Sequence, residues 1–304
     1  MPTGKRGNSP HHAVAPHILD FYTKPAVMTS PGRHAQLLGT LPSEVADLAE
    51  LVSSLLLHEH FAPEYGVTLS DERRAESHIR VVERMLGRVL AHDGRPLSAV
   101  RPVGRRLVGV CRHFTVLLVA MLRAKGIPAR ARCGFGAYFD RGRFEDHWVC
   151  EYWNAEKGRW TLVDAQIDEV QRSKLTIDFD LLDVPRDRFV IAGDAWAQCR
   201  VGDADPSTFG IFDMRGLWFV AGNVLRDVAA LNNMEMLPWD VWGAMPRAGE
   251  PLRDDRLAFL DRVAALTRAP DAALAELVAL YEGDERLRVP SSVLNAVLNR
   301  LEQI

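Results

Sequence analysis

The chain has 304 residues, of which 47% are hydrophobic and 25% charged, and its formal net charge is −3. These values are ordinary for a globular protein, and a chain of this length can form a large core without disulfides or structural metal ions. The slightly negative charge excludes the strongly basic surface of a general nucleic-acid-binding protein, so we expect no nucleic-acid partner.

The cysteines and the N-terminal residues indicate where the protein works. The four cysteines form no CxxC pair, and their spacing predicts neither a zinc site nor a disulfide framework. The first sixteen residues lack the apolar stretch of a secretory signal, and the longest apolar run, 116–122, is too short to span a bilayer. We therefore expect a cytoplasmic protein with no membrane partner.

Helical spacing of apolar residues predicts two helices within residues 43–92 and a third that begins at Cys111. This third helix should end at Gly126, because glycine suits the left-handed position after a helix. Residues 129–164 then contain three short aromatic and β-branched segments that are separated by turns. This pattern predicts an antiparallel meander of three strands.

The second half of the chain is less regular. A long stretch rich in Asp, Gly, Trp and Pro predicts an irregular lobe, and helical spacing returns after residue 252, with a last helix predicted over 293–301. Together these patterns divide the chain into a flexible tail (1–16), a core with N-terminal helices (17–175), an irregular lobe (176–250) and C-terminal helices (251–304).

Cys111, His147 and Asp164 form the candidate catalytic set. The N-terminus of a helix favours a thiolate at Cys111, and a nucleophilic thiol also needs an oriented base. His147 lies on the second predicted strand and Asp164 ends the third, and paired strands place side chains of one face about 5 Å apart. The Cys111 helix must pack its apolar stripe on the sheet, which brings the three residues to one junction.

The segments around these residues resemble the transglutaminase-like superfamily. In that family "G-x-C" begins the nucleophile helix and "G-I-P-A-R" follows it, and this chain has GVC at 109–111 and GIPAR at 126–130. A histidine before an aromatic residue and an aspartate that ends "W-x-x-x-D" follow in the family's order, here as His147-Trp148 and as Asp164 after Trp160. The resemblance covers about residues 100 to 170 and is closest to bacterial proteins with such a domain.

The resemblance implies an α+β, papain-like fold in which the nucleophile helix packs on an antiparallel sheet. It also implies acyl transfer from a small-molecule or peptide amide, in which Cys111 attacks, His147 moves the proton and Asp164 orients the imidazole. Water or an amine would resolve the thioester, and no cofactor is implied. Eukaryotic members use a tryptophan upstream of the cysteine for the oxyanion. No tryptophan precedes Trp148 here, so Arg101, Arg105 and His60 are candidates for that role.

Other residues fit the catalytic set less well. His113 points about 200° away from Cys111 on the same helix, and Asp146 faces the opposite side of the strand from His147. The spacing of His58 and His60 is not that of a helical metal site, so no metal is predicted. Aromatic and polar residues near the predicted base or in the lobe could bind substrate or could equally anchor a long connection: Trp148, Asp194, Trp196 and Asn223. Arg101 and His60 are also candidate substrate-binding residues.

Two alternatives to a general acyl-transfer enzyme remain open. One is a non-catalytic binding module on the same fold, and the other is a dedicated amide-forming enzyme of a biosynthetic pathway. The sequence makes no prediction about the oligomeric state.

Overall fold

The computed structural model describes residues 14–304, and most of the predicted tail, residues 1–13, lies outside the described residues. The helices are α1 (Pro16–Thr23), α2 (Ala35–Gly39), α3 (Val45–Leu55), α4 (Asp71–Arg74), α5 (Val82–His92), α6 (Cys111–Ala124), α7 (Glu169–Arg172), α8 (Ala192–Val201), α9 (Leu217–Leu231), α10 (Asp254–Arg268) and α11 (Pro270–Gly283). The strands are β1 (Leu56–His58), β2 (Leu107–Gly109), β3 (Ala129–Gly136), β4 (Phe144–Asn154), β5 (Arg159–Val163), β6 (Phe189–Ile191), β7 (Phe209–Ile211), β8 (Met214–Arg215), β9 (Asp240–Val241), β10 (Ser292–Asn295) and β11 (Arg300–Gln303).

The predicted meander is the centre of the main sheet. Strand β4 pairs antiparallel with the whole length of β3, and its C-terminal end pairs antiparallel with β5. Strand β6 extends the sheet beyond β3, and β7 joins the N-terminal end of β4 in parallel, followed by β8. The register places Gly134 opposite His147 and Val163 opposite Cys150, so Asp164 follows β5 close to the histidine.

Helix α6 packs against β3 and β4 and is buried on every side from Cys111 to Arg123. It ends as predicted, because Gly126 adopts φ +73° and the chain turns into β3. Helix α3 covers α6 from the other side, and the two share one hydrophobic core with the inner residues of β3 and β4. The predicted α+β class, with the Cys111 helix packed on an antiparallel sheet, is confirmed.

The prediction of an irregular lobe over 176–250 is wrong in one respect, because this stretch contains α8 and the long helix α9. Helix α9 is buried along nearly its whole length and packs against β3, α8 and α10. Its sequence, LWFVAGNVLRDVAAL, is apolar on most sides, so it lacks the one-sided spacing that marks a surface helix.

The C-terminal prediction is half right. Helices α10 and α11 form where helical spacing returns, but residues 292–303 form a hairpin of β10 and β11 instead of a helix. The hairpin turns at Asn299, which adopts φ +49°, and β10 also pairs with β9. Pairing with a distant strand therefore overrides the local helical pattern of 293–301.

Strands β1 and β2 form a small parallel pair that lies beside the beginning of α6. Their register places His58 opposite Gly109, two residues before Cys111. The side chain of His113 lies so close to residue 109 that only glycine fits there, because a Cβ at this position would lie 2.8 Å from that side chain.

Candidate active site

Cys111 is the first residue of α6, directly after the extended residue Val110. His113 reaches back to this turn, and its Nδ1 accepts the N–H of Val110 at 3.1 Å. The backbone N–H groups of Arg112 and Trp148 are directed at the thiol. The start of the helix thus presents its free N–H groups to the sulfur.

The electrostatics of the thiol differ from the sequence expectation. Burial raises the pKa of the Cys111 thiol well above its ordinary value, and the Asp146 carboxylate adds to this effect. The N–H groups of Trp148 and Arg112 act in the opposite direction but do not outweigh burial. The free N–H groups of the helix terminus favour the thiolate, as expected, but burial at the start of this helix opposes them and has the larger effect on the pKa.

His147 and Asp164 form a buried hydrogen-bonded pair. The His147 Nε2 atom lies 2.8 Å from Asp164 Oδ2, and both side chains are almost fully buried. Asp164 also accepts the Tyr138 hydroxyl at 2.7 Å and the backbone N–H of Gln166 at 3.0 Å. Burial alone would raise the pKa of Asp164, but His147 and these donors together lower it.

This arrangement determines which imidazole nitrogen can act as a base. A carboxylate that accepts from Nε2 holds the proton on that nitrogen, so Nδ1 of the neutral ring is the acceptor. His147 and Cys111 line the same cavity, and the aromatic rings of Tyr138 and Phe139 pack edge-on against the imidazole. The ring is therefore held in one orientation.

The cavity that Cys111 and His147 share has a volume of about 610 Å³. His58, Asp146 and Gln166 line it near the thiol. The rest of its wall is mostly apolar and comes from the β7–β8 hairpin, α9, the chain around β9 and the β10–β11 turn. This volume is typical of a small-molecule or substrate site.

Asp146 also lines this cavity, although it precedes His147 on the strand. It is buried, and its Oδ1 accepts the side-chain amide of Asn223 at 2.8 Å. Burial raises the pKa of Asp146, and Arg226 and Asn223 oppose this shift. As expected, Asp146 is not the partner of His147. The sequence does not predict that Asp146 lies near the thiol. Asp146 and His147 both lie near the N-terminal end of β4, and both line the cavity.

The structure separates the predicted substrate-binding residues into two groups. His60 is exposed and lines the cavity, where it contacts Phe212 edge-on. Asn223 lies just behind the wall and positions Asp146. Trp148 contributes its backbone N–H to the thiol, while its indole lies in the core shared by α3 and α6.

The prediction is wrong for the remaining residues, because each side chain makes its contacts outside the cavity. Arg101 is buried and donates to backbone carbonyls of residues 93–99, so it holds its own loop together. Arg105 is exposed and donates to the His92 carbonyl. Asp194 forms an ion pair with Arg268 at 2.6 Å, and the Trp196 indole donates to Asp261 at 2.7 Å. None of these four lines the cavity.

His58 is a cavity residue that the sequence reasoning missed as a candidate. It is 7% exposed, and its Nδ1 accepts the backbone N–H of His60 at the start of a short 3-10 helix. Burial lowers the pKa of His58 well below its ordinary value, and the neighbouring His60, His147 and His113 add to this effect. No local pattern marks this position, because the β1–β2 pairing joins segments about fifty residues apart.

His113 is also neutral but has a different setting. Burial lowers its pKa to about 3, and the Arg112 guanidinium contributes. It binds the start of its own helix and does not line the cavity. In residues 14–304 no group of three or more His, Cys, Asp or Glu side chains is arranged to hold a metal ion.

Comparison with known proteins places these features in a family. Residues 76–165 match the family model described as the transglutaminase-like superfamily. This segment contains Cys111, His147 and Asp164, so the chain carries a transglutaminase-like domain and the resemblance is confirmed. No curated protein matches the chain.

One similar solved structure comes from Cytophaga hutchinsonii, and its protein is described provisionally as a cysteine protease. It is 19% identical, the alignment covers 60% of this chain and 48% of that chain, and the TM-score is 0.34. The match therefore spans about half the length of that protein. None of the helices in residues 14–304 is long and apolar enough to cross a membrane.

Proposed function

We propose that the protein is a thiol enzyme that transfers an acyl group from an amide or peptide carbonyl through a thioester on Cys111. The observation that carries this proposal is the buried His147–Asp164 pair, at 2.8 Å, beside the cavity that holds the thiol. A carboxylate that keeps the proton on Nε2 leaves Nδ1 as the nitrogen that can act as a base. His92 and Glu76 form a similar pair elsewhere, and what distinguishes the His147–Asp164 pair is that His147 lines the same cavity as the thiol.

The proposed reaction follows from the protonation of the thiol. Because burial raises the pKa of Cys111, the thiol keeps its proton until the sulfur attacks. His147 Nδ1 takes the thiol proton as the sulfur attacks the carbonyl carbon, and the carbonyl oxygen becomes an oxyanion. When the C–N bond breaks, the amine leaves with that proton and the thioester remains. Water or a second amine then attacks the thioester carbonyl while His147 takes its proton. The C–S bond breaks, the sulfur takes the proton from His147, and the acid or the new amide is released.

The first experiment measures the alkylation of each cysteine by iodoacetamide across pH, read by mass spectrometry in the parent and in His147→Ala. We expect Cys111 to react at neutral pH and to slow when His147 is lost. Cys199, the half-buried cysteine on α8, lies outside the cavity and is the internal control, because its rate should not depend on His147.

A second readout tests the covalent step. Mixing the protein with p-nitrophenyl acetate should give an acetyl adduct on Cys111 that is absent in Cys111→Ser. If Cys111 is labelled only as an ordinary thiol, independently of His147, and forms no adduct, the proposal is wrong and a non-catalytic binding module takes its place.

A further inference from the structure

The apolar part of the cavity lies beyond the thiol and has its own residues, which we call the apolar arm: Trp218, Phe219, Trp239, Val241 and Met245. Three more apolar side chains line the cavity while remaining exposed, namely Phe212 at 59%, Met214 at 44% and Val297 at 62%. They stand in the β7–β8 and β10–β11 turns. The apolar surface therefore continues from inside the cavity to its rim.

The charged side chains at this wall are engaged by other groups of the protein, except that Nε of Arg226 makes no hydrogen bond within residues 14–304. Glu145 pairs with Arg215, and Glu59 pairs with Arg74 at 3.3 Å. Arg226 donates to the Asn223 side chain at 3.2 Å and to the Asp240 carbonyl at 3.1 Å. A charged group on a substrate would have to compete with these partners, whereas an apolar group would replace only water.

We propose that the apolar arm binds the substrate, and that the enzyme selects amides with a large, uncharged, apolar group on one side of the reacting carbonyl. This inference rests on the proposed function and names its substrate class: an amide that carries an aromatic ring or a branched aliphatic chain. The arm is continuous with the thiol, so the apolar group and the carbonyl occupy one cavity.

The test uses two chloroacetamides that differ only in the group on nitrogen, N-(2-phenylethyl) and N-(2-hydroxyethyl). Each rate of Cys111 alkylation is divided by the rate of the same reagent with glutathione, which removes differences in intrinsic reactivity. We expect the phenylethyl reagent to be favoured by roughly tenfold or more, because its ring leaves water on binding. Met245→Gln should reduce this preference, and Leu301→Gln, an exposed leucine outside the cavity, should not.

The outcomes separate this inference from the proposed function. Equal corrected rates, together with iodoacetamide labelling that depends on His147, would overturn the apolar selection and leave the function standing. A phenylethyl preference together with iodoacetamide labelling that does not depend on His147 would overturn the proposed function and leave the apolar selection standing. Calorimetric binding of N-(2-phenylethyl)acetamide to Cys111→Ser decides the matter if the thiol does not react: binding no tighter than that of N-(2-hydroxyethyl)acetamide overturns the inference.

A separate observation concerns His58 and the oxyanion. The β1–β2 register holds its backbone opposite Gly109, and its ring lines the cavity together with Cys111. Nδ1 accepts the His60 N–H at 3.3 Å, so in the neutral ring the proton must lie on Nε2. The only hydrogen bond of the His58 ring within residues 14–304 is the one that Nδ1 accepts. His58 therefore presents a fixed N–H donor that the folded chain leaves unused.

We infer that His58 Nε2–H stabilises the oxyanion that forms when Cys111 attacks the carbonyl. No tryptophan precedes the cysteine in this chain, and the arginines proposed for the role lie outside the cavity. The backbone N–H groups of Arg112 and Trp148 already face the sulfur. A neutral side-chain donor on the opposite strand completes a set of donors around the reacting carbonyl oxygen.

Two variants separate the donor from the rest of the residue. In His58→Asn the side-chain oxygen can still accept the His60 N–H, but the distal donor is lost. In His58→Gln a distal N–H₂ is restored near the Nε2 position. We expect acylation by p-nitrophenyl acetate to fall roughly 100- to 1,000-fold in His58→Asn and to recover in His58→Gln.

Iodoacetamide alkylation of Cys111 is the control, because displacement of iodide creates no oxyanion. It should be unchanged in both variants. If acylation by His58→Asn equals that of the parent, or if alkylation falls as far as acylation, His58 does not stabilise the oxyanion. Absence of acylation in the parent itself would instead count against the proposed function.

Discussion

Replacement of Asp164 by asparagine tests the reasoning about the base most directly. The carboxylate accepts from His147 Nε2 and from the Tyr138 hydroxyl through one oxygen, and from the Gln166 N–H through the other. Asparagine keeps the size of this side chain but offers only one acceptor oxygen. If its N–H₂ faces the imidazole, the proton moves to Nδ1 and the base is lost.

The size of the effect follows from this tautomer change and from the loss of the negative charge beside the imidazolium. In the serine proteases the same change in the triad lowers kcat about 10⁴-fold. We expect acylation in Asp164→Asn to fall by roughly 10³- to 10⁴-fold, which corresponds to about 4–5.5 kcal/mol of barrier. The fold should survive, because loss of a hydrogen bond to a charged group costs only about 1.5–3 kcal/mol.

The assay is the first-turnover release of p-nitrophenolate from p-nitrophenyl acetate, with the thermal midpoint measured alongside. Asp183→Asn is the matched control, because Asp183 pairs with Lys157 and Arg159 on the surface, outside the cavity. It should acylate at the parent rate. If Asp164→Asn is folded and still acylates within roughly tenfold of the parent, Asp164 does not set the tautomer of His147 and the assignment of Nδ1 as the base fails.

Three further predictions follow from buried polar contacts. Asp227→Ala should lower the free energy of unfolding by roughly 3–5 kcal/mol in urea, because it leaves the buried Arg132 guanidinium without its bidentate partner; an unchanged midpoint would contradict this. Tyr138→Phe should slow acylation by less than about tenfold, since it removes one donor of about 1 kcal/mol from Asp164. Because burial lowers the pKa of His113 to about 3, the unfolded chain binds a proton below about pH 6.5 that the folded state does not bind. The free energy of unfolding should therefore fall by up to about 1.4 kcal/mol per pH unit from pH 6.5 towards 3. His113→Asn should flatten this slope.

The Cys111 helix and the meander could be predicted because their signals are local. The helix begins after a glycine and ends at Gly126, and the three strands are joined by short turns. The order of the cysteine, the histidine and the aspartate then defines the domain. The strand register places His147 and Asp164 side by side, which depends only on neighbouring segments.

Elements that depend on distant partners could not be predicted in this way. Helix α9 is buried on most sides, so its sequence lacks the one-sided spacing of a surface helix. The β10–β11 hairpin forms where the sequence has helical spacing, because β10 pairs with β9, about fifty residues away. The role of His58 depends in the same way on the pairing of β1 with β2.

The candidate binding residues show a related limit. Arginine, aspartate and tryptophan are common both in binding sites and in the contacts that hold long loops, and residue type alone does not separate the two uses. Arg101 satisfies the carbonyls of its own loop, and Trp196 and Asp194 join α8 to α10. Only the structure shows that these side chains make their contacts outside the cavity.

The proposed catalytic residues and the apolar wall of the cavity come from different parts of the chain. The proposed nucleophile, base and orienting carboxylate lie within residues 76–165, the part that matches the transglutaminase-like family. The apolar arm and its rim come from 211–219, 238–246 and 296–297, all outside that match. A change in these segments would alter the apolar surface without moving the His147–Asp164 pair. In our proposal, substrate choice and bond chemistry are therefore carried by different parts of the chain, which is why the family pattern suggests a reaction class but not a substrate.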